Sequence, residues 1–166
     1  MAIRDALLPE LDQEMATTRS LLERVPEEHG AWKPHPKSFS LGDLAVHISQ
    51  LPLWGTTTIR DTEFNAQAPG DAVPPSFQST AQVLERFDKN VAAMRAALAE
   101  ASDEDLMVPW SLKNGDVTVF TMPRAVTLRG FVFNHLIHHR GQLSVYLRLR
   151  DVPLPSIYGP TADTPM

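Results

Sequence analysis

Two histidines, His135 and His139, lie four residues apart in the segment NHLIHHRGQ, residues 134–142. On an α-helix this spacing places both rings on one face, one turn apart, and close enough to bind the same ion. Imidazole is the commonest protein ligand for divalent metals near neutral pH. The sequence therefore indicates a metal site, and a further ligand must come from another segment.

That further ligand is predicted to be His47. It lies three residues after Leu44 and four before Leu51, so it shares the apolar face of a predicted helix. An imidazole in an apolar core is unfavourable unless something binds it. Three inward histidines from two helices can all be stabilised in the core by binding one common ion. The alternative for His47 alone is an ordinary hydrogen-bonded core histidine, and the four-residue spacing of the other two can arise by chance.

The other histidines are not expected to be ligands. His29 and His35 lie in a segment rich in Gly and Pro, with no neighbour that would orient them. His138 is about 100 degrees around the helix from His139, so its ring should miss a site centred on that face. The sequence also lacks the Glu-x-x-His motif of di-iron carboxylate bundles and the His-Glu-x-x-His motif of zinc proteases.

Composition limits the class of protein. The chain has 166 residues and is expected to form a single domain over residues 1–166, with 43% hydrophobic residues and no cysteine. A metal site must therefore use nitrogen and oxygen ligands. No apolar run approaches the roughly 20 residues of a membrane span, and the N-terminus lacks a signal-peptide core, so we expect a cytoplasmic protein without a membrane partner. The net charge of -5 argues against nucleic acid as a partner.

Apolar residues recur at helical spacing in four segments, which are 8–22, 44–51, 83–98 and 128–147. Pro9 is expected in the first turn of the first helix, and Pro52 is expected to kink or break the second. Ser40 and Ser79 are predicted to cap the second and third helices. Pro123 is predicted to open the fourth helix, which carries the histidine pair.

The connections complete the predicted fold. Asn114-Gly115 lies between two short apolar runs and predicts a β-hairpin centred on these two residues. The linker over residues 64–78 is long enough to cross a bundle, and the tail over residues 152–160 is too rich in proline for a helix. The predicted class is therefore all-α, a four-helix bundle with a long crossover, a short β-hairpin between helices 3 and 4 and a proline-rich C-terminal tail.

Two of these segments also resemble a known family. FVFNHLIHHRGQLSVYL (131–147) is similar to the last-helix motif of DinB-like proteins, the damage-inducible superfamily of metal-binding four-helix bundles, and SLGDLAVHISQLPLW (40–54) is similar to its second-helix motif. The tail VPLPSIYGP (152–160) also looks like the ending of many members. The resemblance implies a homodimer and the ligands His47, His135 and His139. Arg140 and Gln142 belong to the motif, and His138 has no ligand role in it.

Three histidines leave at least one coordination position open, as in reactive zinc sites. Zinc is the first choice, and nickel, iron or manganese would also accept nitrogen ligands. Metal-bound water or a thiolate is the expected nucleophile, and a thiol would have to come from solution because the chain has no cysteine. Relatives implied by the resemblance include thiol-dependent S-transferases and a maleylpyruvate isomerase that uses a low-molecular-weight thiol. We therefore expect an S-transferase or hydrolase acting on a small electrophilic molecule, with a non-catalytic, stress-related metal-binding bundle protein as the alternative.

Several side chains have two interpretations. Arg140 is a weak catalytic candidate that could bind a substrate carboxylate, or it forms a salt bridge inside the bundle. Gln142 is the other weak candidate, and it either hydrogen-bonds within the site or caps a helix face. Asp43 either orients His47 or is a favourable charge in the first turn of a helix. Trp54 and Tyr158 either line the mouth of the site or are ordinary packing residues.

Overall fold

The computed structural model of the protein describes residues 1–67 and 75–165. The described chain is mostly helical, as predicted, with a small three-stranded sheet. The helices are α1 (Ile3–Leu22), α2 (Leu41–Arg60), α3 (Thr80–Glu100), α4 (Asp103–Met107), α5 (Arg124–Thr127) and α6 (Asn134–Arg148). The strands are β1 (Glu63–Asn65), β2 (Pro109–Asn114) and β3 (Val117–Pro123). A 3-10 turn covers Glu27–His29, and a π-helical segment, Leu128–Phe133, joins α5 to α6.

The long helices share one hydrophobic core. Helix α2 packs against both α3 and α6, and α1 contacts the same two helices. Each helix contributes fully buried side chains, including Leu11 of α1, Leu44 of α2, Met94 of α3 and Leu143 of α6. The apolar stripe of each helix therefore faces the others, and the position of α2 against α6 determines how the predicted ligands meet.

The starts of α2 and α3 follow the serine caps that the sequence predicts. The Ser40 hydroxyl accepts a hydrogen bond from the Asp43 amide at 3.0 Å. The Ser79 hydroxyl accepts one from the Gln82 amide at 3.2 Å. Each serine thereby satisfies one of the amides that the first helical turn leaves unpaired.

Both helix prolines depart from the prediction. Helix α1 begins at Ile3, so Pro9 lies inside the helix and not in its first turn. The Ile3 amide donates to Asp103 at 2.7 Å, which anchors the earlier start, and Pro9 is exposed, so the carbonyl it leaves unpaired can face water. Of the two alternatives at Pro52, the break is wrong, because α2 continues to Arg60, and the kink stays a prediction. Pro52 is buried, and packing of α2 on its neighbours offsets the lost hydrogen bond.

The predicted hairpin forms, but its turn is shifted by one residue. Gly115 and Asp116 make the turn, and Asn114 is still paired with Val117. The register of the two strands is irregular at Leu112 and Lys113, before the strands reach the turn. Gly115 has a φ of 63°, a conformation that glycine adopts without strain.

Strand β1 was not predicted and pairs in parallel with β2. Its Asn65 side chain accepts the Gly115 amide at 2.9 Å and donates to the Gly115 carbonyl at 3.1 Å, so it holds the hairpin turn. β1 lies at the start of the linker that was expected to cross the bundle. Residues 68–74 of that predicted crossover lie outside the described residues.

The C-terminal segment after α6 has no helix or strand over its described residues, which end at residue 165. Val152, Leu154 and Ile157 pack against the hydrophobic core. The Leu154 amide donates to Asp163 at 2.9 Å, and Asp163 also pairs with Arg148 of α6. In the part of the chain that the structure describes, no helix has both the length and the apolar character needed to cross a membrane.

Candidate metal centre

His47, His135 and His139 converge at the contact between α2 and α6. One ring nitrogen of each histidine lies within 4.8 Å of the others. The Nε2 atom of His135 is 3.3 Å from that of His47 and 2.8 Å from that of His139. His139 is buried, and the other two rings are partly buried. The three residues therefore form a cluster that could hold a metal ion, and we call it the histidine cluster.

The local helix geometry explains why His135 and His139 point the same way. Both lie in α6, one turn apart, as their spacing predicts. The π-helical segment Leu128–Phe133 ends just before them, and such segments occur frequently at functional sites because they change the rotation of the residues that follow. No feature of the sequence indicated this segment, because the apolar spacing continues through it.

Gln142 fixes the orientation of His139. Its Oε1 atom lies 2.8 Å from Nδ1 of His139 and accepts the hydrogen bond from that nitrogen. The proton of the neutral imidazole then sits on Nδ1, so the lone pair of Nε2 faces the cluster. Of the two interpretations of Gln142, the structure supports the hydrogen bond within the site.

All three histidines are held in their neutral form. Burial, together with the smaller effects of the charges of His139 and His135, lowers the pKa of His47 from its usual 6.5 to about 4. Burial also lowers the pKa of His135 and of His139. Neutral imidazole is the form that donates its lone pair to a metal, so the site is prepared for an ion at neutral pH.

The donor set and spacing fit a divalent ion. Zinc–nitrogen bonds of about 2.0–2.1 Å in a tetrahedral arrangement place two nitrogens about 3.3 Å apart. The separation between His47 and His135 is of this size, and that between His135 and His139 is shorter. A proton on Nε2 of His135 can form a hydrogen bond to only one of the other two Nε2 atoms at a time, whereas one ion could bind all three nitrogens. The residues present could therefore hold an ion, with the nitrogens of His135 and His139 moving slightly apart to do so.

Aromatic rings enclose the histidine cluster on two sides. Phe39 stacks on His47, with ring centroids 5.5 Å apart and planes 19° from parallel. Trp54 lies 5.6 Å from both His47 and His135. Phe131 stacks on Trp54 at 5.3 Å and lies 5.9 Å from His135. Trp54 was a candidate in the sequence, whereas Phe39 and Phe131 were missed, because single aromatic residues give no signal of their neighbours.

Arg140 does not face the histidine cluster. It is 1% exposed, and its guanidinium pairs with the carboxylate of Glu14 in α1 at 2.6 Å. It also donates to the hydroxyls of Thr18 and Tyr158. The structure therefore supports the salt bridge that the sequence left as one interpretation. Glu14 was missed, although its position three residues after Leu11 and four before Thr18 places it on the buried stripe of α1.

Tyr158 belongs to this buried pair and not to the mouth of the histidine cluster. Its hydroxyl donates to the two carboxylate oxygens of Glu14 at 3.0 and 2.9 Å, while 65% of the residue is exposed. Desolvation of the hydroxyl, followed by its hydrogen bond to Glu14, raises the pKa of Tyr158. The C-terminal segment is thereby attached to α1 and α6 at one point.

The remaining candidates lie outside the cluster. Asp43 is exposed in the first turn of α2, and no hydrogen bond among the described residues joins it to His47. His138 is exposed, with its ring 4.9 Å from that of His139 but outside the group of converging nitrogens. His35 accepts the Lys37 amide, and His29 contacts Arg150. These placements agree with the expectation that none of the three histidines is a ligand.

A cavity of about 460 Å³ lies near the start of α2, away from the histidine cluster. Its lining includes Gly30, Lys33, Asp43 and Phe77, and none of the three clustered histidines. The histidine cluster therefore contributes no side chain to this cavity.

The fold and the histidine cluster together define a class of helical proteins in which histidines from two helices could hold a metal ion. Comparison with known proteins identifies the family within this class. The model of the DinB family matches residues 3–165. The chain belongs to the DinB family. It is 25% identical to YrdA of Bacillus subtilis (strain 168) over 165 residues, which are 96% of this chain and 90% of that protein.

Two solved structures share the fold. One is a DinB-like protein of Bacillus cereus ATCC 10987, with 25% identity, a TM-score of 0.67 and coverage of 93% of this chain and 97% of that one. The other is the DinB-like protein YjoA of Bacillus subtilis, with 19% identity, a TM-score of 0.68 and coverage of 92% and 96%. These likenesses show the fold, whereas the family model shows the family, and the chemistry has to be argued from the site.

Proposed function

We propose that this DinB family protein binds a divalent metal ion through His47, His135 and His139 and is a metal-dependent enzyme acting on small electrophilic molecules. The convergence of three neutral ring nitrogens is the observation that carries the proposal. Structural zinc is usually closed by four protein ligands, whereas three protein ligands leave a position for a reactant. A thiol S-transferase or a hydrolase is the reaction class that such a site would serve.

Zinc is the proposed ion. All the donors are imidazole nitrogens, which suit zinc, nickel and iron well and manganese less well. The chain has no cysteine, so softer thiolate ligation is absent from the donor set. Elemental analysis of protein purified without added metal or chelator identifies the ion directly.

When bound, the ion would act as a Lewis acid that lowers the pKa of a water molecule or a thiol reaching it. The roles of the chain's own residues follow from their contacts. The three imidazoles hold the ion, and Gln142 keeps the Nε2 atom of His139 free to do so. Phe39 and Trp54 exclude water beside the rings. A thiol cosubstrate would come from solution.

The finer architecture is part of the same proposal. We propose that α1, α2, α3 and the helical run ending in α6 form a four-helix bundle with a long crossover, within a single domain over residues 1–166. Contacts between these helices support the bundle. A homodimer is proposed from the family resemblance, and light scattering at micromolar concentration tests it. We also propose a cytoplasmic location, as expected from the sequence.

The metal site is tested by two adjacent variants. His139→Ala should sharply lower the bound metal, because it removes one converging nitrogen. His138→Ala should leave the metal near the wild-type level, because its ring lies outside the group of converging nitrogens. Elemental analysis of both purified proteins gives the result. Equal losses in the two variants would contradict the assigned ligands.

Metal removal distinguishes the enzyme from a non-catalytic metal-binding bundle protein. If removal of the ion abolishes turnover of an electrophile with a low-molecular-weight thiol or water and barely changes the melting temperature, the enzyme is supported. If removal unfolds the protein and no electrophile is consumed, the ion is structural and the catalytic part of the proposal is wrong.

A further inference from the structure

The aromatic rings beside the histidine cluster form a surface that a metal site does not itself require. We call Phe39, Trp54 and Phe131 the aromatic wall. Phe39 contacts His47 and His139 on one side, and its residue is 48% exposed. Trp54 contacts His47 and His135 on another side and stacks on Phe131 with planes 10° from parallel. The half-exposed Phe39 and the neighbouring rings therefore place apolar surface directly beside the converging nitrogens.

The sheet fixes the position of the aromatic wall. Phe131 lies 6.0 Å from Trp110 of β2 and 5.7 Å from Phe120 of β3. Phe64 of β1 lies 6.3 Å from Trp54. The slit between these rings is too narrow to admit a water molecule. A ligand would therefore lie against the outer faces and edges of Trp54 and Phe131, which the packed layer behind them holds in place.

The charges near the histidine cluster are already paired. Arg140, directly after His139, pairs with Glu14 inside the core. Arg129, in the π-helical segment, pairs with Glu10 of α1 at 2.9 Å. Arg140 is held inside the core, whereas Arg129 is half-exposed in a surface pair, and the wall itself offers a molecule apolar contact and ring stacking.

We propose that the aromatic wall is the substrate-binding surface of the histidine cluster and that it takes an uncharged aromatic group attached to the reacting electrophile. This inference rests on the proposed metal site and adds the class of substrate. A planar ring packed beside Trp54 or Phe39 would lie next to the converging nitrogens. Aromatic substrates should therefore bind more tightly than alkyl substrates with the same metal-binding group.

The test compares two small chelators on the cobalt-loaded full-length protein. Acetohydroxamate and benzohydroxamate carry the same metal-binding group and differ in a methyl against a phenyl. Their dissociation constants are measured by the change in cobalt absorption. We expect benzohydroxamate to bind about tenfold more tightly to the wild type, from ring stacking and burial. In Trp54→Ala the ratio of the two dissociation constants should fall to about twofold or less. The ratio is taken within the same cobalt-loaded variant, so an effect on the metal site that is common to both hydroxamates does not enter it.

Trp32→Ala is the matched control. Trp32 contacts Tyr146 and Arg150 and no member of the histidine cluster, so this variant should keep the tenfold preference. Because Trp54 is partly buried, Phe39→Ala serves as a second variant with less effect on packing, and it should also reduce the preference.

The outcomes separate the two proposals. If the wild type does not bind cobalt or zinc, the proposed metal site itself fails. If it binds metal but shows equal affinity for the two hydroxamates, the aromatic wall is not a substrate surface, while the metal site stands. A preference that survives in both Trp54→Ala and Phe39→Ala would also overturn the inference.

Discussion

Replacing Gln142 with leucine should weaken metal binding without removing a ligand. Gln142 provides the hydrogen bond that the Nδ1 atom of His139 makes within the described residues, at 2.8 Å. Loss of such an outer partner typically lowers metal affinity about 10- to 100-fold. His139 is also the buried member of the cluster, so water replaces the lost acceptor poorly. We therefore expect a loss in the upper part of this range, about 30- to 100-fold, which corresponds to roughly 2.0–2.8 kcal/mol.

The assay is a competition titration of zinc with a chromophoric chelator at pH 7.5. Gln142→Glu supplies a carboxylate acceptor in the same position and should bind zinc at least as tightly as the wild type. Gln13→Leu makes the same change as Gln142→Leu at an exposed position of α1 and should have no effect. If Gln142→Leu binds zinc within about twofold of the wild type, well below the usual range, its hydrogen bond does not prepare His139 for metal, and the tautomer assignment is wrong.

The remaining predictions concern stability. Arg140→Met should destabilise the protein by about 3–5 kcal/mol in urea unfolding, because it leaves the buried carboxylate of Glu14 unpaired. The double variant with Glu14→Gln should recover part of that loss, and a double variant as unstable as the single one would contradict this explanation. In metal-free protein, stability should fall as the pH drops from about 6.5 towards 4, because the unfolded chain takes up a proton on His47 that the folded chain does not. Urea midpoints across this pH range measure the slope, and His47→Gln should reduce it.

The secondary structure was predictable where its determinants are local. The serine caps at Ser40 and Ser79 and the apolar stripes of the long helices are read directly from the sequence. The two helix prolines are tolerated for different reasons. The exposed Pro9 leaves its unpaired carbonyl to water, whereas packing of α2 on its neighbours offsets the hydrogen bond lost at the buried Pro52. Strand β1 and the shifted hairpin turn depend on Asn65, which contacts Gly115 from 50 residues away. No local sequence pattern predicts a contact between residues so far apart in the chain.

The candidate site was predictable only in part. Periodicity placed His47, His135 and His139 on inward faces, and the structure brings them together. Their actual metal binding stays a prediction. The aromatic neighbours of the histidines depend on which helix faces pack together. That packing is determined by the whole core, so no short sequence pattern predicts it. The partner of Arg140 was accessible in principle, since a glutamate on the buried stripe of α1 requires a cation opposite it.

The adjacent residues His139 and Arg140 lie on different faces of α6, and each of these faces packs against a different helix. His139 faces α2 and the histidine cluster, whereas Arg140 faces α1 and Glu14. A buried ion pair is weak evidence for stability, because desolvation opposes the attraction between its charges, and its best-attested use is to specify register. Here a rotation of α6 that moved His139 away from His47 would also remove Arg140 from Glu14. The two interactions therefore select the same rotation of α6. On this argument, the ion pair positions the ligands without touching a substrate, so its loss should lower metal affinity as well as stability.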